Sequence, residues 1–151
     1  MIFFYKPIRH PGTMDFVFSA ENTQSINGMI KSDIKIIRRI SGLTLKVSCY
    51  LVDGIYVGSC VNSDFCQVLK RRLNFSVENC PEYLFNNSID CACPFNLPAR
   101  LMDIKKAFDL PDFSTTVITW LGSGDFDFDI KLTQGVTSIL CLSIKFSTKP
   151  K

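Results

Sequence analysis

The sequence predicts an all-β fold of antiparallel strands, a sandwich, barrel or cup, with one short helix. Three observations predict it. Apolar and polar residues alternate with period two in several separate runs, glycines punctuate the gaps, and only one segment has a helical period. The chain has 151 residues, the size of one domain, and 46% of it is hydrophobic, enough apolar surface to offset the entropy of ordering. Its 8 Gly and 7 Pro are too few for a collagen or a proline-rich linker.

Taken in order, the first candidate strands are Met14–Ala20 and Asp33–Ile40. Leu43–Leu51 is the next, with Leu43, Leu45, Val47, Cys49 and Leu51 on one face and Thr44, Lys46, Ser48 and Tyr50 on the other. The helix follows, because Phe65, Val68, Leu69 and Leu73 fall at i, i+3, i+4 and i+8. Ser63 is its expected N-cap, Asp64 lies in the first turn, and Lys70, Arg71 and Arg72 complement the dipole in the last. Val117–Leu121 carries the only Trp and supports two readings. Either Val117, Ile118, Trp120 and Leu121 form an apolar loop aimed at a membrane, or Thr115–Leu121 is a buried strand with Trp120 in the core. Asp125–Leu132 alternates without a break, placing Phe126, Phe128, Ile130 and Leu132 on one face. A last strand, Ser138–Phe146, sets Leu140, Leu142, Ile144 and Phe146 against Cys141, Ser143 and Lys145. Gly42, Gly54, Gly124 and Gly135 mark turns. With no repeat and no linker, one domain is expected over residues 11–147, preceded by an incomplete N-terminal strand in 1–10.

Several functions are excluded at this level. Seventeen basic against fourteen acidic residues leave +3, too weak and too scattered for a nucleic-acid partner. The single His, His10, sits in a His-Pro-Gly turn, and no Gly-x-Ser-x-Gly elbow exists, so a nucleophile with its base is not available. Asp125, Asp127 and Asp129 share the polar face of one strand and read as a solvated face rather than as paired glycosidase carboxylates. Without a glycine-rich phosphate loop either, no enzyme and no cofactor are expected.

Compartment signals conflict. No run reaches the ~18–20 apolar residues of a spanning helix. The start, Met1 to Lys6, is too short for a secretory leader and by itself suggests a cytosolic chain. Seven cysteines argue otherwise, six of them between Cys49 and Cys93 in irregular, Asn- and Pro-bearing sequence. Their spacings fit no zinc pattern, so a disulfide framework is expected, and no metal. Cys91 and Cys93 are two apart and reach different partners, because a direct bridge would be strained. Asn74-Phe-Ser and Asn86-Asn-Ser are glycosylation acceptors usable only in a secreted chain. We therefore expect a secreted or lysosomal protein whose true N-terminus, with its signal peptide, precedes Met1.

The order Gly58-Ser-Cys60, Phe65-Cys66, Cys80-Pro-Glu82 and Cys91-Ala-Cys-Pro-Phe95 resembles the GM2 ganglioside activator family, within the MD-2-related lipid-recognition superfamily. The resemblance runs on through Asp109-Leu-Pro111 to Cys141-Leu-Ser-Ile-Lys145, covering roughly Pro11 to Phe146. It implies a β-cup of two antiparallel sheets around an apolar cavity, with a short helix at the side. It also implies a non-enzymatic carrier that lifts glycosphingolipids, or similar two-chain lipids, from a membrane and presents them to a lysosomal glycosidase. Carried over, the disulfides would be Cys49–Cys60, Cys66–Cys93 and Cys80–Cys91. Rims at Ile40–Thr44, with Ile40 and Leu43, and after Pro111 would touch the membrane.

Three departures stand out. The family has a first-strand Cys that pairs with the position of Cys141, and this chain has none before Cys49, so Cys141 is left over. The loop around Ser114–Gly124 is longer, and Trp120 falls in the excess; an aromatic rim position is Thr44 here. A cup needs two apolar inner faces, for which the candidates are Phe16, Phe18, Ile34, Ile36, Leu45, Val47, Phe126, Phe128, Ile130, Leu142 and Ile144. Other readings are a sterol or phospholipid carrier, an immune lipid receptor of the same superfamily, or a disulfide-stapled interaction protein with a filled core and no ligand.

Overall fold

A computed structural model describes residues 2–3, 6–116 and 118–151. Among these, the strands in chain order are β1 (Ile2–Phe3), β2 (Ile8–His10), β3 (Gly12–Glu21), β4 (Ile26–Asn27), β5 (Lys31–Ile40), β6 (Leu43–Lys46) and β7 (Tyr50–Val52). They continue with β8 (Ile55–Val57), β9 (Val61–Asn62), β10 (Asn96–Leu97), β11 (Leu101–Leu110), β12 (Gly124–Gln134) and β13 (Thr137–Pro150). Helix α1 spans Phe65–Leu73 and α2 spans Glu82–Phe85, while Phe113–Thr115 and Thr119–Gly122 are single 3-10 turns.

The larger sheet runs β1-β13-β12-β5-β6, with β2 also on β13 and β9 also on β5. Its long pairs are antiparallel and in direct register, Phe128 lying opposite both Ile36 and Ile144. The second layer is the antiparallel pair β3–β11, ten residues matched from Gly12↔Leu110 to Glu21↔Leu101. The hairpin β7–β8 and the antiparallel pair β4–β10, remote in sequence, complete the set. The fold is thus all-β with two antiparallel layers and short helices at the side.

Three local expectations are revised. Leu43–Leu51 is not one strand: β6 ends at Lys46, and the chain turns off β5 to form β7 with β8. The cause is long-range. Cys49 is bonded to Cys60, and Ser48 lies so close to Gly58 that a Cβ there would come within 2.3 Å of the Ser48 carbonyl oxygen. Gly58 also has φ +97°, so only glycine lets the two segments meet. The helix is capped by Asp64, whose carboxylate accepts from the Gln67 N–H, and not by Ser63. None of the described residues of Thr115–Leu121 is in a strand; Thr115 ends one 3-10 turn and residues 119–121 lie in the other.

Burial is strongest at the two ends of the layers, and Ser32, Ile36, Val57 and Cys60 are also buried between them. At one end Ile30, Cys66, Phe75, Ile89, Cys91 and Phe95 form a closed cluster, under α1 and the disulfides Cys66–Cys93 and Cys80–Cys91. At the other, His10, Phe113, Phe126 and Thr148 are buried. Between them, inward residues such as Ile34, Phe128, Ile130, Leu142 and Ile144 stay only half-buried. The total makes the same point: a folded monomer of 17.1 kDa exposes about 7,800 Å², and this one exposes 9453 Å². The layers are splayed rather than interdigitated.

The outer face carries the strand charges. Arg39 donates two hydrogen bonds to Asp127, at 2.8 and 2.7 Å, and Lys145 stands 3.7 Å from the same carboxylate. These donors, Arg39 foremost, hold the Asp127 carboxyl below its ordinary range. Of the three aspartates of β12, Asp127 is thus ion-paired, while Asp125 and Asp129 accept from the Ser147 and Ser143 hydroxyls on the same outer face.

Candidate functional site: an apolar cup

The site begins with parity. On β3, β5, β11 and β12 even-numbered residues point inward, so the period-two pattern of each strand supplies one greasy wall. On the larger sheet Ile34, Ile36, Phe128 and Ile130 line a cavity of about 320 Å³. Its side is closed by Phe65, Val68 and Leu69 of α1, and its top by Ile118, Trp120 and Leu121. Tyr56, Asn62 and Arg72 supply polar groups at its edge. The volume sits at the lower end of ordinary ligand pockets, which run from about 300 to 1,000 Å³.

The rim segment that carries Trp120 is anchored at several points. His10 is fully buried; its Nε2 lies 2.6 Å from the Gly122 carbonyl, and its Nδ1 accepts the Phe113 N–H at 3.2 Å. That pairing fits a neutral ring with its hydrogen on Nε2, donating to Gly122. Thr148 Oγ1 donates to the Leu121 carbonyl at 2.6 Å. Arg38 donates from Nε and Nη2 to the Ser123 carbonyl, at 3.1 and 2.9 Å. The Asp112 carboxylate accepts from the Ser114 hydroxyl and N–H, which hold its pKa down. Trp120 itself turns inward: its indole N–H donates to the Tyr50 hydroxyl at 2.7 Å, and its ring lies 6.0 Å from Phe126 and 6.5 Å from Phe128.

The other candidate residues fall as follows. Phe126 is 1% exposed and stacks on Phe146 at 5.3 Å, forming the floor beneath Trp120. Leu142 and Ile144 extend the same wall along β13. Phe16 and Phe18 stand on the opposite layer, where Phe16 contacts both Phe18 and Phe108. Leu45 is exposed on edge strand β6, and Val47 is half-buried just past its end. Leu43, 60% exposed, tips the β5–β6 turn beside half-buried Ile40. Val117 lies outside the described residues. Cys49–Cys60, Cys66–Cys93 and Cys80–Cys91 are bonded, and Cys141 is free and exposed on the outer face of β13. Asn74 and Asn86 are exposed, each just beyond a helix end.

Sequence reasoning did not assign Tyr56, Val57, Asn62 or Arg72 to the cavity, nor Tyr50 to Trp120. The helix stripe Phe65, Val68, Leu69 was visible, but what it faces depends on contacts remote in sequence.

Together these features define a class, the disulfide-stapled all-β fold with an apolar cavity against its larger sheet. No family model matches the chain. Among curated proteins it is similar to the ganglioside GM2 activator of Macaca fascicularis, 27% identical over 143 residues, which cover 95% of this chain and 71% of that protein. The ganglioside GM2 activator of Mus musculus is 26% identical over 145 residues, 95% of this chain and 70% of its own. The chain is thus similar, over 95% of its length, to two ganglioside GM2 activators.

Proposed function

We propose that this chain is a non-enzymatic lipid-binding protein that extracts glycosphingolipids or similar two-chain lipids from a membrane and presents or transfers them, acting as activator of a lysosomal hydrolase. The observation that carries the reading is the half-buried state of Ile34, Phe128, Ile130, Leu142 and Ile144 between two closed ends. Each methylene moved from water onto those walls gains about 0.8 kcal/mol, so hydrocarbon supplies the packing that the splayed layers lack. The similarity to two ganglioside GM2 activators supports the choice of lipid class and the absence of catalysis. It also supports a secreted or lysosomal location, in keeping with three disulfides and exposed acceptor sites at Asn74 and Asn86. Ile40 and Leu43 on one rim would meet the bilayer, and the segment 118–121, whose Trp120 faces the cavity, would stand where a lipid enters.

Transfer between vesicles tests this. Donor vesicles carrying a fluorescent two-chain glycosphingolipid are mixed with unlabelled acceptors and the protein. We expect protein-dependent transfer of intact lipid. No acceleration over the protein-free rate would refute the carrier reading, and lipid breakdown by the protein alone would replace it with an enzyme.

A further inference from the structure

Charge is sorted by face in this cup. Every Asp and Glu of β3, β5, β11 and β12 lies at an outward position. The inward positions of the same strands hold two charged residues, Arg38 and Lys106, and both are cations. Arg38 is occupied by the Ser123 carbonyl. Lys106 is not: among the described residues its ammonium makes no hydrogen bond and no ion pair.

Its surroundings are apolar. Lys106 sits opposite Phe16 in the β3–β11 register, flanked along its own strand by inward Ile104 and Phe108. Phe16 is 37% exposed, with its ring 6.3 Å from Phe18 and 6.1 Å from Phe108. Lys106 is also central, four residues from the Leu110 end of β11 and so about 13 Å along the strand from it. A cation in mid-wall is tolerable while water reaches it. Once hydrocarbon covers the wall, an unpaired ammonium would carry the full cost of a buried charge. The sequence could have avoided that cost with any apolar residue at this position.

We infer that the β3–β11 wall binds an amphiphile whose anionic oxygen group, a carboxylate or phosphate, is attached directly to its hydrocarbon and pairs with Lys106. A charge on a distant headgroup sits too far from mid-wall to reach the ammonium. A neutral tail leaves it unpaired. The inference rests on the proposed reading of the cup as a lipid site, and adds the charge and position of the ligand's polar group.

Displacement of the neutral dye Nile red measures this. Oleate, dodecyl phosphate and oleyl alcohol compete for the wild-type protein and for Lys106→Met, which keeps an apolar side chain of similar length. The wild type should prefer at least one of the acids over the alcohol by on the order of tenfold, as expected for a charge-assisted bond. Lys106→Met should lose that preference with its alcohol affinity unchanged, which also shows that the variant is folded; the acid preferred by the wild type names the group. Equal affinities in the wild type, or a preference that survives in Lys106→Met, overturn the anion site alone. Failure of all three to displace or compete with the dye overturns the lipid cup as well.

Discussion

Reduction of the three disulfides unfolds this protein in buffer that leaves the oxidised form native. The bridges span sequence separations of 11, 27 and 11 residues, and chain-entropy reasoning assigns each about 3 kcal/mol. The Cys80–Cys91 loop is nested within Cys66–Cys93, so the contributions are not fully additive. Even so they are comparable to the whole stability of an ordinary domain, about 5–15 kcal/mol. This chain has less core than most to set against the loss. Its closed cluster is built partly from the half-cystines, with Cys66 and Cys91 each 1% exposed, so reduction also loosens what they hold together. Circular dichroism with and without reductant should show loss of the β signal at moderate temperature. A reduced protein that keeps its spectrum and melting point would mean that the layers hold themselves together.

Phe126→Ala should be the most damaging single substitution on the larger sheet. Phe126 is 1% exposed at the centre of an aromatic cluster, its ring 5.3 Å from Phe146, 6.0 Å from Trp120 and 6.3 Å from Phe128. Truncating a buried Phe costs about 3–5 kcal/mol, because the void relaxes only in part. In a chain of this length that lowers the melting temperature by on the order of 10 °C. The loss should extend to ligand binding, since Phe126 is the floor on which Trp120 rests. Ile130→Ala is the contrast. Ile130 is only half-buried and faces the cavity, so its truncation should be much milder for stability. Thermal melts of both variants decide the matter, and equal losses would show that the interior is packed throughout.

Much of the architecture was readable because it is local. The unbroken alternation of Asp125–Leu132 is enough to set Phe126, Phe128 and Ile130 inward, and the observed strand extends that run at both ends. The period of Phe65, Val68 and Leu69 likewise marks α1 and its apolar stripe. What was not readable depends on remote partners. Leu43–Leu51 alternates throughout, yet the Cys49–Cys60 bond and the approach of Gly58 break it after Lys46. The segment around Trp120 has no local period that distinguishes strand from loop. Its path is set by His10, Tyr50 and Thr148, which lie 112, 70 and 27 residues from their partners in this segment. The cup therefore emerges from strand parity, whereas its rim emerges from tertiary hydrogen bonds.

An interior that hydrocarbon completes is tested most directly by the mass of the intact protein. Expressed in a eukaryotic secretory system and sprayed under non-denaturing conditions, the chain should show a mass excess over polypeptide plus glycan. That excess should disappear on organic extraction and reappear in the extract as lipid. A mass accounted for by polypeptide and glycan alone, with an extract free of lipid, would contradict it.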